Sequence, residues 1–131
     1  DPFEYLMLRH KHGMLKTDFK NPLGKVSYHA ACHQRVQRIG PKTKEALELI
    51  PGIEIDLIER CSGHDGTYAV KKETHELSMK IARPVIRKVQ TNAPDHYSSD
   101  CAMAGHQIAN GLDDGSEPEH PISLMRIAYG I

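Results

Sequence analysis

No run of apolar residues in this sequence approaches the ~20 that a membrane-spanning helix requires, so no membrane span is expected. Charge of one sign is not in excess. The 17 basic side chains are matched by 17 acidic ones, which leaves no net field to favour nucleic acid or an anionic membrane surface. No secretory signal, internal repeat or low-complexity tract is apparent. The G-x-S-x-G elbow of a hydrolase is missing, and Ser62, His64 and Asp65 are merely neighbours in sequence. Neither a G-x-G-x-x-G after a strand nor a P-loop occurs, so nucleotide binding has no support. Cysteine is scarce and odd in number. Three residues far apart make a poor disulfide framework and suit a reducing, cytoplasmic setting with metal or redox use. The chain begins at Asp1 rather than Met and is expected to be part of something longer.

What is present is enough for one domain of 131 residues with a modest core, 39% of its residues being hydrophobic. Residues 1–24 read as a lead-in segment or linker, with Phe3, Leu6, Met7 and Leu8 on one short helical face stopped near Gly13. Residues 25–131 read as the domain proper. "KVSYHAA" (25–31) has a strand's composition, and "IEIDLIE" (53–59) alternates, with Ile53, Ile55, Leu57 and Ile58 inward. A third short strand is expected through His96–Ser98. Helices are expected over 41–50, 67–90, 101–112 and 121–131. Val70, Leu77, Ile81, Val85 and Val89 would form the inner face of the longest, with a kink or break at Pro84. Asp100 is placed to cap the helix that follows it.

Strands alternating with helices imply an α/β fold, a small parallel sheet with crossover helices. Each cysteine then occupies an equivalent place. Cys32, Cys61 and Cys101 each follow a strand and precede a loop or helix. In a parallel sheet the carboxyl ends of all strands lie on one edge, where ligands bind. The three thiols should converge there, with Gly63, Gly66 and Gly105 letting the backbone wrap closely round a bound group.

Three convergent thiolates suit an iron–sulfur cluster or a zinc ion. No fourth cysteine exists, so another ligand is needed. His64, three residues after Cys61, is the first candidate and His106, five after Cys101, the second; His29 and His33 flank Cys32. The other five histidines, His10, His12, His75, His96 and His120, read as structural. A plainer alternative treats the cysteines as small buried hydrophobes. A metal-free thiol switch ranks last because no C-x-x-C pair occurs.

The segments "SYHAACHQRVQRIG", "IERCSGHDGTYAVK" and "SSDCAMAGHQI" resemble the cysteine-rich CCG domain in the B subunit of heterodisulfide reductase. They are still more similar to the related domain in the C subunit of anaerobic glycerol-3-phosphate dehydrogenase and its iron–sulfur oxidoreductase relatives. The resemblance covers about residues 25–112. It implies one CCG-like repeat, the C-terminal one of a longer protein. It also implies an electron-transfer module of an oxidoreductase, its cluster, of 4Fe–4S type, held by Cys32, Cys61 and Cys101 with His64, His106 or an open position completing the set. Other redox subunits or a ferredoxin-like domain would be its partners. The departures are specific. The family's Cys-Cys-Gly is Cys61-Ser62-Gly63 here, and Ala104 stands where the last Cys-x-x-Cys would end. The five-cysteine noncubane cluster of heterodisulfide reductase is therefore not expected. A structural Cys3His zinc domain that organises a protein interface remains the alternative.

Overall fold

The computed structural model describes residues 1–131. Three strands, β1 (Lys25–His29), β2 (Glu54–Ile58) and β3 (His96–Ser99), form one parallel sheet in the order β2-β1-β3. Register pairs Val26 with Ile55 on one side and with His96 on the other. The helices are α1 (Pro2–Lys11), α2 (Cys32–Gln37), α3 (Lys42–Leu47), α4 (Lys72–Asn92), α5 (Ala102–Leu112) and α6 (Pro121–Tyr129). The α/β reading holds, and so does the placing of the cysteines at the carboxyl ends of the strands.

A sheet with two apolar faces needs cover on both. On one side Phe3, Leu23, Val26, Ala46, Leu47, Ile50, Leu124, Met125 and Ala128 form a core supplied by α1, α3, α6 and the middle strand. On the other, Ile58, Val85, Val89, Tyr97 and Ile108 join α4 and α5 to the outer strands. The α4 crossover carries the chain from β2 past β1 to β3. Its end is tied to the sheet by Asn92 Nδ2, which donates to Asp56 Oδ2 (2.5 Å), and by the Lys88–Asp56 ion pair (3.5 Å). After α5 the chain returns along β3, where Ser98 and Glu119 form a parallel bridge.

Three expectations need correction. The long helix starts at Lys72, and Val70, Leu77 and Ile81 are exposed rather than inward. Its inner face is Ser78, Ala82, Val85, Ile86 and Val89, because small side chains let α4 approach α5 and the loop after β2. Pro84 does not break the helix, which runs through it. Pro84 lies on the exposed side, where water can reach the carbonyl that it leaves unbonded. Asp100 does not cap α5. Cys101 holds that position without a side-chain bond, and the Asp100 carboxylate turns back under the sheet edge.

Candidate functional site

All three strands run the same way, so the segments that leave them emerge on one edge. Cys32 begins α2, three residues beyond β1. Cys61 lies three residues beyond β2 and Cys101 two beyond β3. The strand order puts Cys32 in the middle and the other two on its flanks. None is in a disulfide; Cys32 and Cys61 are exposed and Cys101 is half-buried. The reading of these residues as buried hydrophobes therefore fails.

The backbone that presents the thiols is fixed by buried polar contacts. Beneath Cys32 and Cys101 lies a ring of four side chains. The Tyr28 hydroxyl, on a fully buried residue of β1, is shared between the Asp100 carboxylate and Gln34 Oε1. Gln34 Nε2 donates to Thr43 Oγ1 (2.6 Å), and the Thr43 hydroxyl donates to Asp100 Oδ1 (2.8 Å). Gln34 is two residues after Cys32 and Asp100 is one before Cys101, so the ring couples the two thiol-bearing segments. Burial and then the neighbouring Asp100 charge hold the Tyr28 phenol well above the usual tyrosine range.

Cys61 is held differently. The Gly63 N–H donates to Cys61 Sγ (3.4 Å), and Gly63 O accepts from Ser78 Oγ (2.7 Å) on α4. Gln107 Nε2 of α5 donates to the same hydroxyl (2.6 Å). Gly63 has φ +77°, and a Cβ there would sit 2.2 Å from the Ser78 carbonyl oxygen. A Cβ at Gly105 would meet Pro118 at 2.9 Å, whereas nothing lies within 4 Å of one at Gly66. Gly63 thus serves close packing of the Cys61 loop against α4, and Gly105 that of α5 against Pro118, which differs from the expected cradle round a ligand.

The histidines separate by their partners. His29 is buried, with Nε2 2.7 Å from Arg60 O and Nδ1 3.0 Å from Ser99 Oγ. Both nitrogens are engaged, which removes it as a ligand. Burial lowers its pKa, opposed by the Arg60 carbonyl and the Asp100 charge. His75 bonds Ala69 O, His96 pairs with Glu119 and His120 caps α6. His64 is half-buried in the turn after Cys61. His106 is exposed and shares a cleft of about 90 Å³ with Ser99, Gly105, Pro118 and His120. No three His, Cys, Asp or Glu side chains gather closely enough to form the ligand shell of a single ion. The four-residue ring and the Ser78–Gln107 tie were not foreseen. Their members are distant in sequence, and no local pattern marks them.

No family model and no solved structure matches the chain. No helix is long and apolar enough to cross a membrane. Among curated proteins, the C subunit of the anaerobic glycerol-3-phosphate dehydrogenase of Escherichia coli (strain K12) is 34% identical over 102 residues, as is that of Escherichia coli O157:H7. The alignment takes in 77% of this chain and 25% of each relative, so the chain spans about a quarter of their length. By sequence the chain is related to part of the C subunit of anaerobic glycerol-3-phosphate dehydrogenase.

Proposed function

We propose that this chain is an iron–sulfur electron-transfer module of a larger oxidoreductase, with Cys32, Cys61 and Cys101 as cluster ligands. The observation that carries the reading is the arrival of three free thiols on one sheet edge, from three adjacent parallel strands. Similarity to part of a dehydrogenase supports the oxidoreductase assignment.

The donor set suits a cluster in kind and in spread. Thiolates are the ligands of iron–sulfur groups. Neighbouring strands lie ~4.8 Å apart, so the strands leading to Cys61 and Cys101 are separated by roughly 10 Å. A single zinc with Zn–S bonds of ~2.3 Å would require the loops to close inward. A cluster has its own width and meets its ligands further apart. A 4Fe–4S group supplies one-electron uptake and release when bound. The chain's residues would bind and insulate it. The Gly63 N–H would remain on the Cys61 sulfur and favour its thiolate, and the Tyr28–Asp100 ring would hold the Cys32 and Cys101 segments in place. His64 is the leading fourth ligand and His106 the second, with an open position as the third arrangement. Electrons would pass to or from other redox subunits or a ferredoxin-like domain, within an assembly of the anaerobic glycerol-3-phosphate dehydrogenase kind.

The test is the iron, acid-labile sulfide and zinc content of protein purified and reconstituted without oxygen. About four iron and four sulfide per chain, lost in Cys61→Ala, is the expected result for a 4Fe–4S group. One zinc per chain without sulfide would overturn the cluster and establish the Cys3His alternative.

A further inference from the structure

Beside Cys32 the sheet edge carries two clefts that share a pair of arginines. The first, of about 320 Å³, is lined by Ala30, Gln34, Arg35, Arg38, Leu57 and Glu59 among others. The second, shallower and about 440 Å³, is bounded by Cys32, Arg35, Val36 and Arg38. Arg35 is in the last turn of α2 and Arg38 is the residue that ends it, and both line each of the two clefts. Arg38 has φ 56°, a left-handed conformation that glycine or asparagine adopts more readily.

Neither guanidinium is engaged within the protein. The chain's lysines take several carboxylates, as in Lys42–Glu45, Lys44–Glu48, Lys80–Glu76 and Lys88–Asp56, yet neither Arg35 nor Arg38 has an acidic partner within 4.0 Å. Glu59 shares the first cleft without pairing with either. Two planar forks with free donors match the oxygens of a carboxylate or a phosphate. Ala30 and Leu57 give the first cleft apolar surface, and its size falls in the range of small-molecule sites. Glu59 repels a second negative group and accepts from a hydroxyl or ammonium.

We propose that this cleft binds a small organic oxyanion, a carboxylate or phosphate monoester, with the anionic end on Arg35 and Arg38 and a hydroxyl or amino group toward Glu59. The same arginines border Cys32, so the ligand lies next to the thiol edge. The site goes beyond the cluster reading and does not depend on it.

The test is a nuclear magnetic resonance titration of the whole chain, following backbone amides and arginine Nε–H signals. Inorganic phosphate, acetate and chloride are added in turn at matched ionic strength. Phosphate or acetate should give saturable shifts at Arg35, Arg38, Ala30 and Leu57, and chloride should not. The tighter of the two assigns the oxyanion class. Arg35→Gln and Arg38→Gln, both exposed and outside the core, should each weaken that binding about tenfold, since each removes a charge-assisted bidentate contact. Arg87→Gln, on α4, should leave binding unchanged, and Glu59→Gln should tighten it. Equal, unsaturable shifts with all three anions would overturn the site. So would saturable binding that survives both arginine changes.

Discussion

Tyr28 and Asp100, seventy-two residues apart in sequence, share a hydrogen bond beneath the carboxyl edge of the sheet. The bond joins the middle strand to the residue that precedes Cys101. With Gln34 and Thr43 it closes a ring in which a half-buried carboxylate and a buried phenol, amide and hydroxyl all have partners. Buried polar groups cost little when satisfied and much when one partner is removed. Tyr28→Phe should therefore destabilise the chain by about 1–3 kcal/mol, the cost of a buried acceptor left short. Denaturant unfolding would measure it. A change below about 0.5 kcal/mol would show that water replaces the hydroxyl without loss.

Gly63 makes the second support. Its φ of +77° already disfavours any side chain, and the Ser78 carbonyl fills the space where a Cβ would go. The clash is with α4 backbone, which cannot swing aside. Gly63→Ala should cost at least ~2 kcal/mol, from left-handed strain plus a displaced loop. It should also lower the rate at which a thiol reagent modifies Cys61, because the sulfur loses the Gly63 N–H that supports its anionic, reactive form. A variant of unchanged stability and reactivity would mean that the loop is free of α4.

How much of this was legible beforehand follows from the range of the forces involved. The strand–cysteine order is local, and it foretold the sheet, its direction and the common edge. Short α2 has too few residues to show a period, and it went unseen although it carries Cys32. On α4 the apolar residues Leu77 and Ile81 suggested a buried stripe, yet Ser78 and Ala82 face inward. There the need for close approach to Gly63 and α5 outweighs hydrophobicity. Asp100 had the composition of a cap, and only the fold brings Tyr28 and Thr43 within its reach. Patterns record which residues prefer the interior, whereas polar ties across the sheet edge exist only after the chain has closed.

His29 gives the chain a pH response of its own. Burial holds its folded pKa below the ordinary value, so the folded state favours the neutral ring while the unfolded chain takes up a proton near pH 6.5. The group's contribution is complete above about pH 6.5 and is lost as pH falls through the depressed folded value. In that window stability should drop by up to about 1.4 kcal/mol per pH unit for this one proton. Urea unfolding between pH 7.5 and 5, beside His29→Gln, would isolate the effect. Parallel curves for the two proteins would assign any acid lability to other groups.

Cys61 and Ser62 are adjacent, but one is exposed and the other is 4% exposed. A hydroxyl is a poor ligand for a soft metal site. Cys61→Ala should abolish iron retention after anaerobic reconstitution, and Ser62→Ala should retain nearly all of it. Equal losses would mean that Ser62 has taken over a ligand role at the position where the resembling family has its second cysteine.

The fourth ligand can be decided between His64 and His106. His64 follows Cys61 by three residues in a half-buried turn, whereas His106 is exposed in a separate cleft with His120. Neither nitrogen of His64 has a hydrogen-bond partner within the protein, so its ring is free to turn toward the thiol edge, and Asp65 is the nearest acceptor in sequence for the nitrogen left over. If His64 is a ligand, His64→Ala should lower iron retention or change the electron paramagnetic resonance signal of the reduced protein, and His106→Ala should do neither. If the imidazole only donates to a sulfur, iron content should stay full while the reduction potential moves, since hydrogen bonds to sulfur tune it. Unchanged iron, spectrum and potential in His64→Ala, with loss in His106→Ala, would transfer the role to His106 on α5.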